Sequence, residues 1–306
     1  MVLLLLLLLA HSPRPLRYKH RSLRHFLDTY LFAERAGRPP FVFDCYAGCG
    51  GYWSSRGSLV RVGTFGVVLE AALAGGALLS NVYAAERVTS MHRVLQKLAE
   101  ARVAASGEDV AAARRWASGN VRCGPWGREL LPAARAALAD GTNDVFLLCD
   151  QFGFTGVGAR LLRTVFAAPA RSHVLLFVSL TRVDEATLRS TFELDGGGGG
   201  GGGPSKGAGI ERQLGIVARV REGLAALPGV GGVAHGLVFR EALELSEDGR
   251  HAAGALAYAL LFVSSCARAA EAMETGFRDN ADTAYPAEAR AAALGTANVY
   301  CPRGGM

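Results

Sequence analysis

The sequence predicts an α/β protein with a Rossmann-like fold, in which a mostly parallel seven-stranded sheet with flanking helices ends in an antiparallel hairpin. Short apolar runs of strand length alternate along the chain with longer segments of helical periodicity. Two of these runs, 41–43 and 145–149, lead directly into the acids Asp44 and Asp150. The last two predicted strands, 236–245 and 255–264, are joined through an Asp-Gly pair, which is typical of a hairpin turn.

The composition is that of a globular protein with a full hydrophobic core. The chain has 306 residues, of which 50% are hydrophobic, enough for one large α/β domain with extensions. The formal net charge of +6 and the pI of about 9.2 favour binding to nucleic acid or to an anionic surface. A genome rich in G and C, which encodes Arg, Ala and Gly often, explains the same composition equally well.

The cysteines indicate an intracellular protein with reduced thiols. None of the six belongs to a CxxC pair or has the Cys/His spacing of a zinc site: Cys45, Cys49, Cys123, Cys149, Cys266 and Cys301. We therefore expect neither zinc nor a disulfide framework, and a cytoplasmic location by default.

The N-terminal segment, residues 1–17, is predicted to be flexible or targeting-like. The apolar run from Val2 to Ala10 is too short to span a bilayer, so we expect no transmembrane segment. The residues that follow are strongly basic up to the first acid, Asp28, as in organellar transit segments. A mis-assigned start codon is the alternative explanation.

The main domain is predicted to cover residues 18–278 and to begin with a helix at 18–32. Apolar residues recur in this segment at helical spacing and would face the rest of the domain: Leu23, Phe26, Leu27, Tyr30 and Leu31.

The predicted ligand-binding loop follows the first strand. Asp44 ends that strand at the edge where doubly wound sheets bind ligands, and Ala47, Gly48 and Gly50 follow it. Glycines permit positive φ and a close approach of the backbone to a bound molecule, which suits a ligand that contains adenosine. The alternative is that the loop is only a tight turn. In either case, a polar connection at 52–61 leads from the loop to a predicted helix at 62–74.

Glu86 is the candidate for binding ribose hydroxyls. It follows the second predicted strand, 80–85, where the two oxygens of a carboxylate match a vicinal diol. The alternative role is capping of the next helix, at 88–98. That helix has His92 on its surface and an apolar face made of Val88, Met91, Val94, Leu95 and Leu98.

The segment between the second strand and the next acid is predicted to be mainly helical. Residues 101–118 continue as helix, 120–123 form a short edge strand, and a further helix covers 128–139. Trp126 lies in the turn before that helix. Its indole either closes a loop over the core or stacks on an adenine ring.

Asp150 is the candidate catalytic acid, because it follows the buried strand 144–149 at the same edge as Asp44. A carboxylate there can orient a nucleophile, hold a cationic methyl donor or accept a proton. Phe152 and Phe154 would form an aromatic wall for a planar substrate. The alternative is that Asp150 caps a helix at 157–166 and that both rings point inward.

Five further segments complete the predicted chain. The run of glycines within 195–208 is a flexible insertion without a catalytic role, because its Ser205-Lys206 order does not match a phosphate-binding loop. Helices are predicted at 210–227 and 266–277, with a strand at 173–180 before them. The tail, residues 279–306, is polar and predicted to pack poorly.

The predicted architecture resembles that of class I S-adenosylmethionine-dependent methyltransferases. It has five β/α units, and its last strand lies antiparallel between two neighbouring strands. Within that fold, the chain is similar from about Lys19 to Phe277 to the bacterial three-Cys-motif partner proteins. The residues that carry the resemblance are Phe43, Asp44, Ala47, Gly48, Gly50, Tyr52, Gly57, Ser58, Asp150, Phe152, Gly153, Tyr258, Leu260, Leu261 and Phe262. Leu59, Gln151 and Cys49 depart from the family pattern, which tends to have proline at these positions.

The resemblance implies a site for S-adenosylmethionine. Asp44, Gly48, Gly50 and Glu86 would line the methionine and ribose ends of this cofactor, and Asp150 would face the transferred methyl group. The leading hypothesis is a methyltransferase that acts on nucleic acid, with Asp150 orienting an amine and Phe152 stacking on a flipped base.

Two other functions fit the sequence less closely. A catalytically inactive module that binds a nucleotide or a protein partner would explain the departures at Gln151 and Cys49. A nicotinamide-dependent oxidoreductase is disfavoured because the loop reads Gly-x-Gly-Gly instead of Gly-x-Gly-x-x-Gly.

Overall fold

The computed structural model shows an α/β fold built on a seven-stranded mixed sheet. It describes residues 13–33, 38–53, 59–150, 157–179, 185–192, 209–239 and 256–281. The strands, in chain order, are β1 (Pro40–Asp44), β2 (Gly51–Trp53), β3 (Leu59–Val62), β4 (Val82–Glu86), β5 (Val121–Cys123), β6 (Asp144–Cys149), β7 (Arg171–Ser179), β8 (Gly232–Phe239) and β9 (Leu256–Ser264).

The order of strands in the main sheet is β5-β4-β1-β6-β7-β9-β8. The pairs from β5 to β7 are parallel, whereas β9 is antiparallel to both of its neighbours, β7 and β8. The predicted mostly parallel, seven-stranded sheet with an antiparallel C-terminal pair is therefore confirmed. The predicted hairpin turn around Asp248 and Gly249 lies outside the described residues.

Ten α-helices within the described ranges flank this sheet. They are α1 (Pro13–Phe26), α2 (Thr64–Ala74), α3 (Thr89–Ala105), α4 (Val110–Asn120), α5 (Trp126–Glu129), α6 (Leu131–Ala139), α7 (Ala159–Phe166), α8 (Glu185–Phe192), α9 (Gly209–Ala225) and α10 (Ala267–Ala281). No helix in those ranges has both the length and the apolar character needed to cross a membrane. The predicted glycine-rich insertion at 195–208 lies outside the described residues.

The first helix packs on the centre of the sheet, as its apolar spacing predicts. The ring of Phe26 is fully buried, with its centroid 4.8 Å from that of Phe262 and 5.4 Å from that of Phe146. Helix α1 also packs along α10, and a π-helical turn, Leu27–Leu31, continues it. Its first residue is Pro13, so the predicted flexible segment already becomes helical five residues before the predicted boundary at Tyr18.

The end of the domain also differs from the prediction. Helix α10 continues to Ala281, whose side chain is buried, so the polar tail does not begin at Asp279. The apolar residues Met273 and Phe277 lie on the buried side of this helix. Ala281 follows them at helical spacing, and its burial explains why the helix extends past the predicted end.

The connection between β1 and α2 is a small antiparallel hairpin instead of the predicted polar linker. Strands β2 and β3 pair through Gly51 with Val62 and through Tyr52 with Arg61. Residues 54–58, between them, lie outside the described residues. The hairpin returns to the ligand loop, because the Gly63 N–H donates to the Gly50 carbonyl at 2.7 Å.

Helix α3 buries only part of the face that the sequence predicts to pack on the core. Leu95, Ala99 and Val103 are buried, whereas Val88 is 44% exposed and Val94 is 37% exposed. The predicted surface residue His92 is half-buried, and its Nε2 lies 3.1 Å from the Val121 carbonyl oxygen of β5. Helix α3 also packs against α4.

Helix α4 has a side-chain cap whose removal gives a small, measurable loss of stability. The Asp109 carboxylate accepts the N–H groups of Ala111 at 3.2 Å and Ala112 at 2.9 Å. We expect Asp109→Ala to lower the midpoint of urea denaturation, because the first turn of α4 loses the acceptor of two of its N–H groups. The exposed neighbour Glu108 provides the control, and an equal loss in Glu108→Ala would show that the cap contributes nothing.

Candidate functional site

Three acids reach the carboxyl edge of the sheet on three neighbouring strands. Asp44, at the end of β1, pairs in register with Ala84 of β4 and with Leu148 of β6. Glu86 and Asp150 each lie two residues beyond those partners. Side chains alternate between the two faces of a strand, so the three acids occupy positions that belong to the same face of the sheet. The sheet thus brings together residues that are more than a hundred positions apart in the sequence.

Asp44 is a buried carboxyl with one oxygen left without a partner. Its Oδ1 accepts the Tyr46 N–H at 3.2 Å, whereas Oδ2 has no hydrogen-bond partner among the described residues. Burial, followed by the nearby charge of Asp150, raises the pKa of Asp44 to about 7. The Tyr46 N–H and the Lys19 ammonium reduce this increase. A buried oxygen without a partner is rare in folded proteins and is typical of a site that receives a donor from a ligand.

Asp150 is held by two residues from helices that flank the sheet. Its Oδ2 accepts a bond from the Lys19 Nζ at 2.5 Å and one from the Thr64 hydroxyl at 3.3 Å. Lys19 comes from α1, and Thr64 is the first residue of α2. The side chain of Asp150 remains 26% exposed, so solvent or a ligand can reach this carboxylate.

Lys19 is a buried cation at the centre of this group. Its side chain is only 3% exposed, and Nζ lies 4.4 Å from the ring centroid of Phe177 on β7. An ammonium between a carboxylate and an aromatic face is stabilised both by charge pairing and by the quadrupole of the ring. Helix α1 is therefore part of the candidate site.

The ligand loop contains two glycines in the left-handed region. Gly48 has φ +62° and Gly50 has φ +73°. A Cβ added at Gly48 would have no neighbour closer than the Met91 Cε at 3.9 Å, whereas one at Gly50 would lie 2.6 Å from the Leu95 Cδ1. A Cβ at Gly48 would thus make only ordinary contact with Met91, so its positive φ is the reason for glycine there, whereas Gly50 is required for packing of the loop on α3. Ala47 is buried, and its N–H donates to the Ala85 carbonyl at 3.0 Å, which joins the loop to β4.

Glu86 is half-buried and takes part in the start of the next helix. Its Oε1 accepts the N–H of Val88, the residue before α3, at 2.7 Å. This bond reaches the N–H of the N-cap residue and no N–H group inside α3, so it does not test the capping role that the sequence offers as an alternative. It is compatible with ligand binding, because one carboxylate has two oxygens.

The aromatic residues of the predicted site divide into two groups. Phe152 and Phe154 lie outside the described residues. Trp126 is buried, and its indole N–H donates to the Tyr46 hydroxyl, so it closes the loop over the core instead of presenting a free face for stacking.

Sequence reasoning missed Lys19, Thr64 and Phe177. One signal was present, because Lys19 falls on the same helical face as Leu23, Phe26 and Tyr30, all of which are buried. A single charged residue on an apolar face indicates a buried partner. Thr64 and Phe177 have no comparable signal in the sequence.

A second polar cluster lies at the opposite, amino edge of the sheet. His173 Nε2 lies 2.5 Å from Asp144 Oδ1, and His173 Nδ1 lies 2.8 Å from Ser264 Oγ. These residue types also occur in the catalytic triads of hydrolases. However, His173 and Ser264 are fully buried, so an ester or peptide of the kind that hydrolases cleave does not reach the hydroxyl. The cluster joins β6, β7 and β9 beneath α1 and has a structural role.

Metal ligands do not cluster in the part of the chain that the structure describes. No group of three or more His, Cys, Asp or Glu side chains there could hold a metal ion.

Comparison with known proteins gives only distant structural likeness. No protein-family model matches the chain, and no curated protein matches it. A crystal structure of a DUF519 protein from Legionella pneumophila is similar with a TM-score of 0.43 and 10% sequence identity, over 84% of this chain and 92% of that chain. Likeness at this level carries no information about function.

Proposed function

We propose that the chain binds S-adenosylmethionine at the carboxyl edge of the sheet, as a methyltransferase-like protein. The observation that supports this most strongly is the convergence of Asp44, Glu86 and Asp150 beside a loop with two left-handed glycines. The order of strands, with β9 antiparallel between β7 and β8, agrees with the arrangement that the resemblance to class I methyltransferases implies.

The chemistry of Asp44 suits the methionine end of this ligand. S-adenosylmethionine carries an α-ammonium group, and the buried Oδ2 of Asp44 has no donor among the residues that the structure describes. A cation placed there would lower the pKa of Asp44 from about 7, because it favours the charged carboxylate. Binding near neutral pH would therefore release a proton.

Glu86 suits the ribose of the ligand, and Gly48 suits a close approach of the ligand to the loop. The Glu86 Oε1 is bonded to the Val88 N–H, which leaves Oε2 for a ribose hydroxyl. Gly48 has no side chain of its own, so the backbone of the loop is open to close approach by a ligand at this residue.

Asp150 suits the acceptor side of the reaction. In methyl transfer, a lone pair of the acceptor attacks the methyl carbon while the carbon–sulfur bond breaks. The sulfonium becomes a neutral thioether, and the acceptor loses a proton. The exposed side of Asp150 would orient an acceptor amine, while Lys19 and Thr64 hold the carboxylate in place. Positioning supplies much of the acceleration in such a reaction.

The distribution of charge favours a polyanionic acceptor such as nucleic acid. Arg87 follows Glu86 directly, and Arg122 lies in the neighbouring edge strand β5. Arg160 is in the first turn of α7, which begins near the same edge because it follows β6. All three are exposed. Exposed arginines beside a site bind phosphates and add to the effect of the net charge of +6.

A second candidate is a catalytically inactive module that binds the same ligand or a protein partner. The ion pair between Lys19 and Asp150 favours it, because the Asp150 Oδ2 is already bonded within the protein. Binding of S-adenosylmethionine without methyl transfer would identify this case.

Calorimetric titration tests the proposal. We expect heat of binding with S-adenosylmethionine and S-adenosylhomocysteine and none with NAD. Loss of one charged hydrogen bond costs about 1.5–3 kcal/mol, so Asp44→Ala and Glu86→Gln should each weaken binding about tenfold or more.

Asp140→Asn is the matched control, because Asp140 is an exposed acid on the amino side of β6. It should bind as the wild type does. Circular dichroism shows whether each variant is folded. If the folded wild type gives no heat with either ligand, the proposal is wrong. If it binds, incubation of a donor carrying a labelled methyl group with RNA and with DNA then tests the acceptor.

A further inference from the structure

Two cysteines lie side by side directly beneath the candidate site. Cys45 follows Asp44 at the end of β1, and Cys149 is the last residue of β6. Both are free thiols, and both are buried. Each is next in the chain to one of the two acids of the site, Asp44 or Asp150.

The register of the two strands places these cysteines opposite each other. Asp44 pairs with Leu148, and the Cys45 N–H continues the ladder by donating to the Leu148 carbonyl at 2.9 Å. The next pair along the strands is therefore Cys45 with Cys149. Neighbouring strands are about 4.8 Å apart, and disulfides join Cα atoms that are about 4.4–6.8 Å apart.

The thiols also interact in the reduced protein. Burial, and then a hydrogen bond with Cys149, raise the pKa of the Cys45 thiol. A protonated, buried thiol reacts slowly with oxidants. However, once either sulfur is oxidised, the other is already beside it, so ring closure is favoured over any reaction between molecules.

We propose that Cys45 and Cys149 are a modification site, at which a peroxide joins them in a reversible intramolecular disulfide. One sulfur attacks the peroxide and becomes a sulfenic acid, with release of one water. The second sulfur then attacks the first, forms the S–S bond and releases a second water. The two thiols lose two electrons and two protons, and one hydrogen peroxide is reduced to two waters.

The bond would link the ends of β1 and β6 at the residues next to Asp44 and Asp150. It would remove the freedom of those two ends to move apart when a ligand enters between the acids. Formation of the disulfide does not depend on which ligand the site binds. Its test is therefore independent of the proposed methyltransferase activity.

Peptide mapping after peroxide treatment tests the proposal. Trypsin leaves Cys45 and Cys49 in one peptide, 36–56, whereas Cys149 is the only cysteine of peptide 136–160. The experiment therefore uses full-length protein with Cys49→Ser. We expect peptides 36–56 and 136–160 to become joined with loss of two hydrogens, and dithiothreitol to separate them. The exposed Cys123 should oxidise first.

Two variants complete the design. Cys45→Ala should abolish the joined peptides, and Cys123→Ser should retain them. If Cys45→Ala does not fold, Cys149→Ala provides the same test. For the outcome that overturns the proposal, the protein is treated with peroxide until Cys123 is fully oxidised, and is then unfolded and alkylated. The proposal is overturned if both Cys45 and Cys149 are alkylated. It is also overturned if Cys149 is found joined to any other cysteine.

Discussion

Asp44→Asn is expected to stabilise the protein relative to the wild type as the pH rises from 5 to 8. In the unfolded chain the ordinary pKa of this carboxyl is 3.8, whereas burial raises the pKa of Asp44 in the folded protein to about 7. Between these values the folded state binds more protons than the unfolded state, so wild-type stability falls as the pH rises and becomes constant above about 7. Asparagine does not titrate, and the variant escapes this loss.

The expected gain is large for a single substitution. With the two pKa values above, the free energy of unfolding of Asp44→Asn relative to wild type should increase by about 2–3 kcal/mol between pH 5 and pH 8. Urea denaturation of both proteins at each pH measures this difference. Only the change with pH is predicted, since any effect of the amide itself is the same at both pH values.

Asp140→Asn is the control for this experiment as well. Hydrogen bonds from the Thr142 N–H and hydroxyl lower the pKa of Asp140, so its replacement should give no gain as the pH rises. If the free energies of unfolding of Asp44→Asn and wild type differ by the same amount at pH 5 and pH 8, then Asp44 is ionised in the folded protein across this range. In that case its unpartnered oxygen would no longer indicate a site for a ligand cation.

Lys19→Met should destabilise the protein by about 2–3 kcal/mol. Removing one member of a buried ion pair costs about 3–5 kcal/mol, and the 26% exposure of Asp150 reduces that value, because water can solvate the carboxylate that remains. Methionine retains most of the apolar contact with the helix and the Phe177 ring. The loss would therefore come mainly from the charge. Chemical denaturation at pH 7.5 measures it.

Arg21→Met provides the matched control, because Arg21 lies two residues further along the same helix and is exposed. It should change stability by less than about 0.5 kcal/mol. Equal effects in both variants would mean that the pair between Lys19 and Asp150 contributes nothing. A specific loss in Lys19→Met would show that α1 is bound to the sheet edge through the site itself.

The sequence predicts well where local patterns alone determine structure. The predicted strand 144–149 has the bounds of β6, because a short apolar run of this length between turn residues favours a buried strand. The three acids were predicted at one edge because Asp44, Glu86 and Asp150 each follow an apolar run. Parallel strands present their carboxyl ends together.

The sequence predicts poorly where packing between distant segments decides. Lys19 and Asp150 are 131 residues apart, and their contact depends on where α1 lies across the sheet. The predicted apolar face of α3 holds only in part. Leu95 is buried as predicted, whereas Val88 and Val94 are exposed, and the other buried positions of the helix are Ala99 and Val103. The hairpin of β2 and β3 was missed because its two strands have only three and four residues.

The position of β9 has a consequence for synthesis on the ribosome. Strands β7 and β8 each pair with β9 and not with each other, and β9 is the last of the described strands to be translated. Until it emerges, the nascent chain holds two unpaired strand edges facing a gap, and such edges invite pairing with other chains. Polypeptides arrested before residue 256 should therefore depend on chaperones far more than the released protein does.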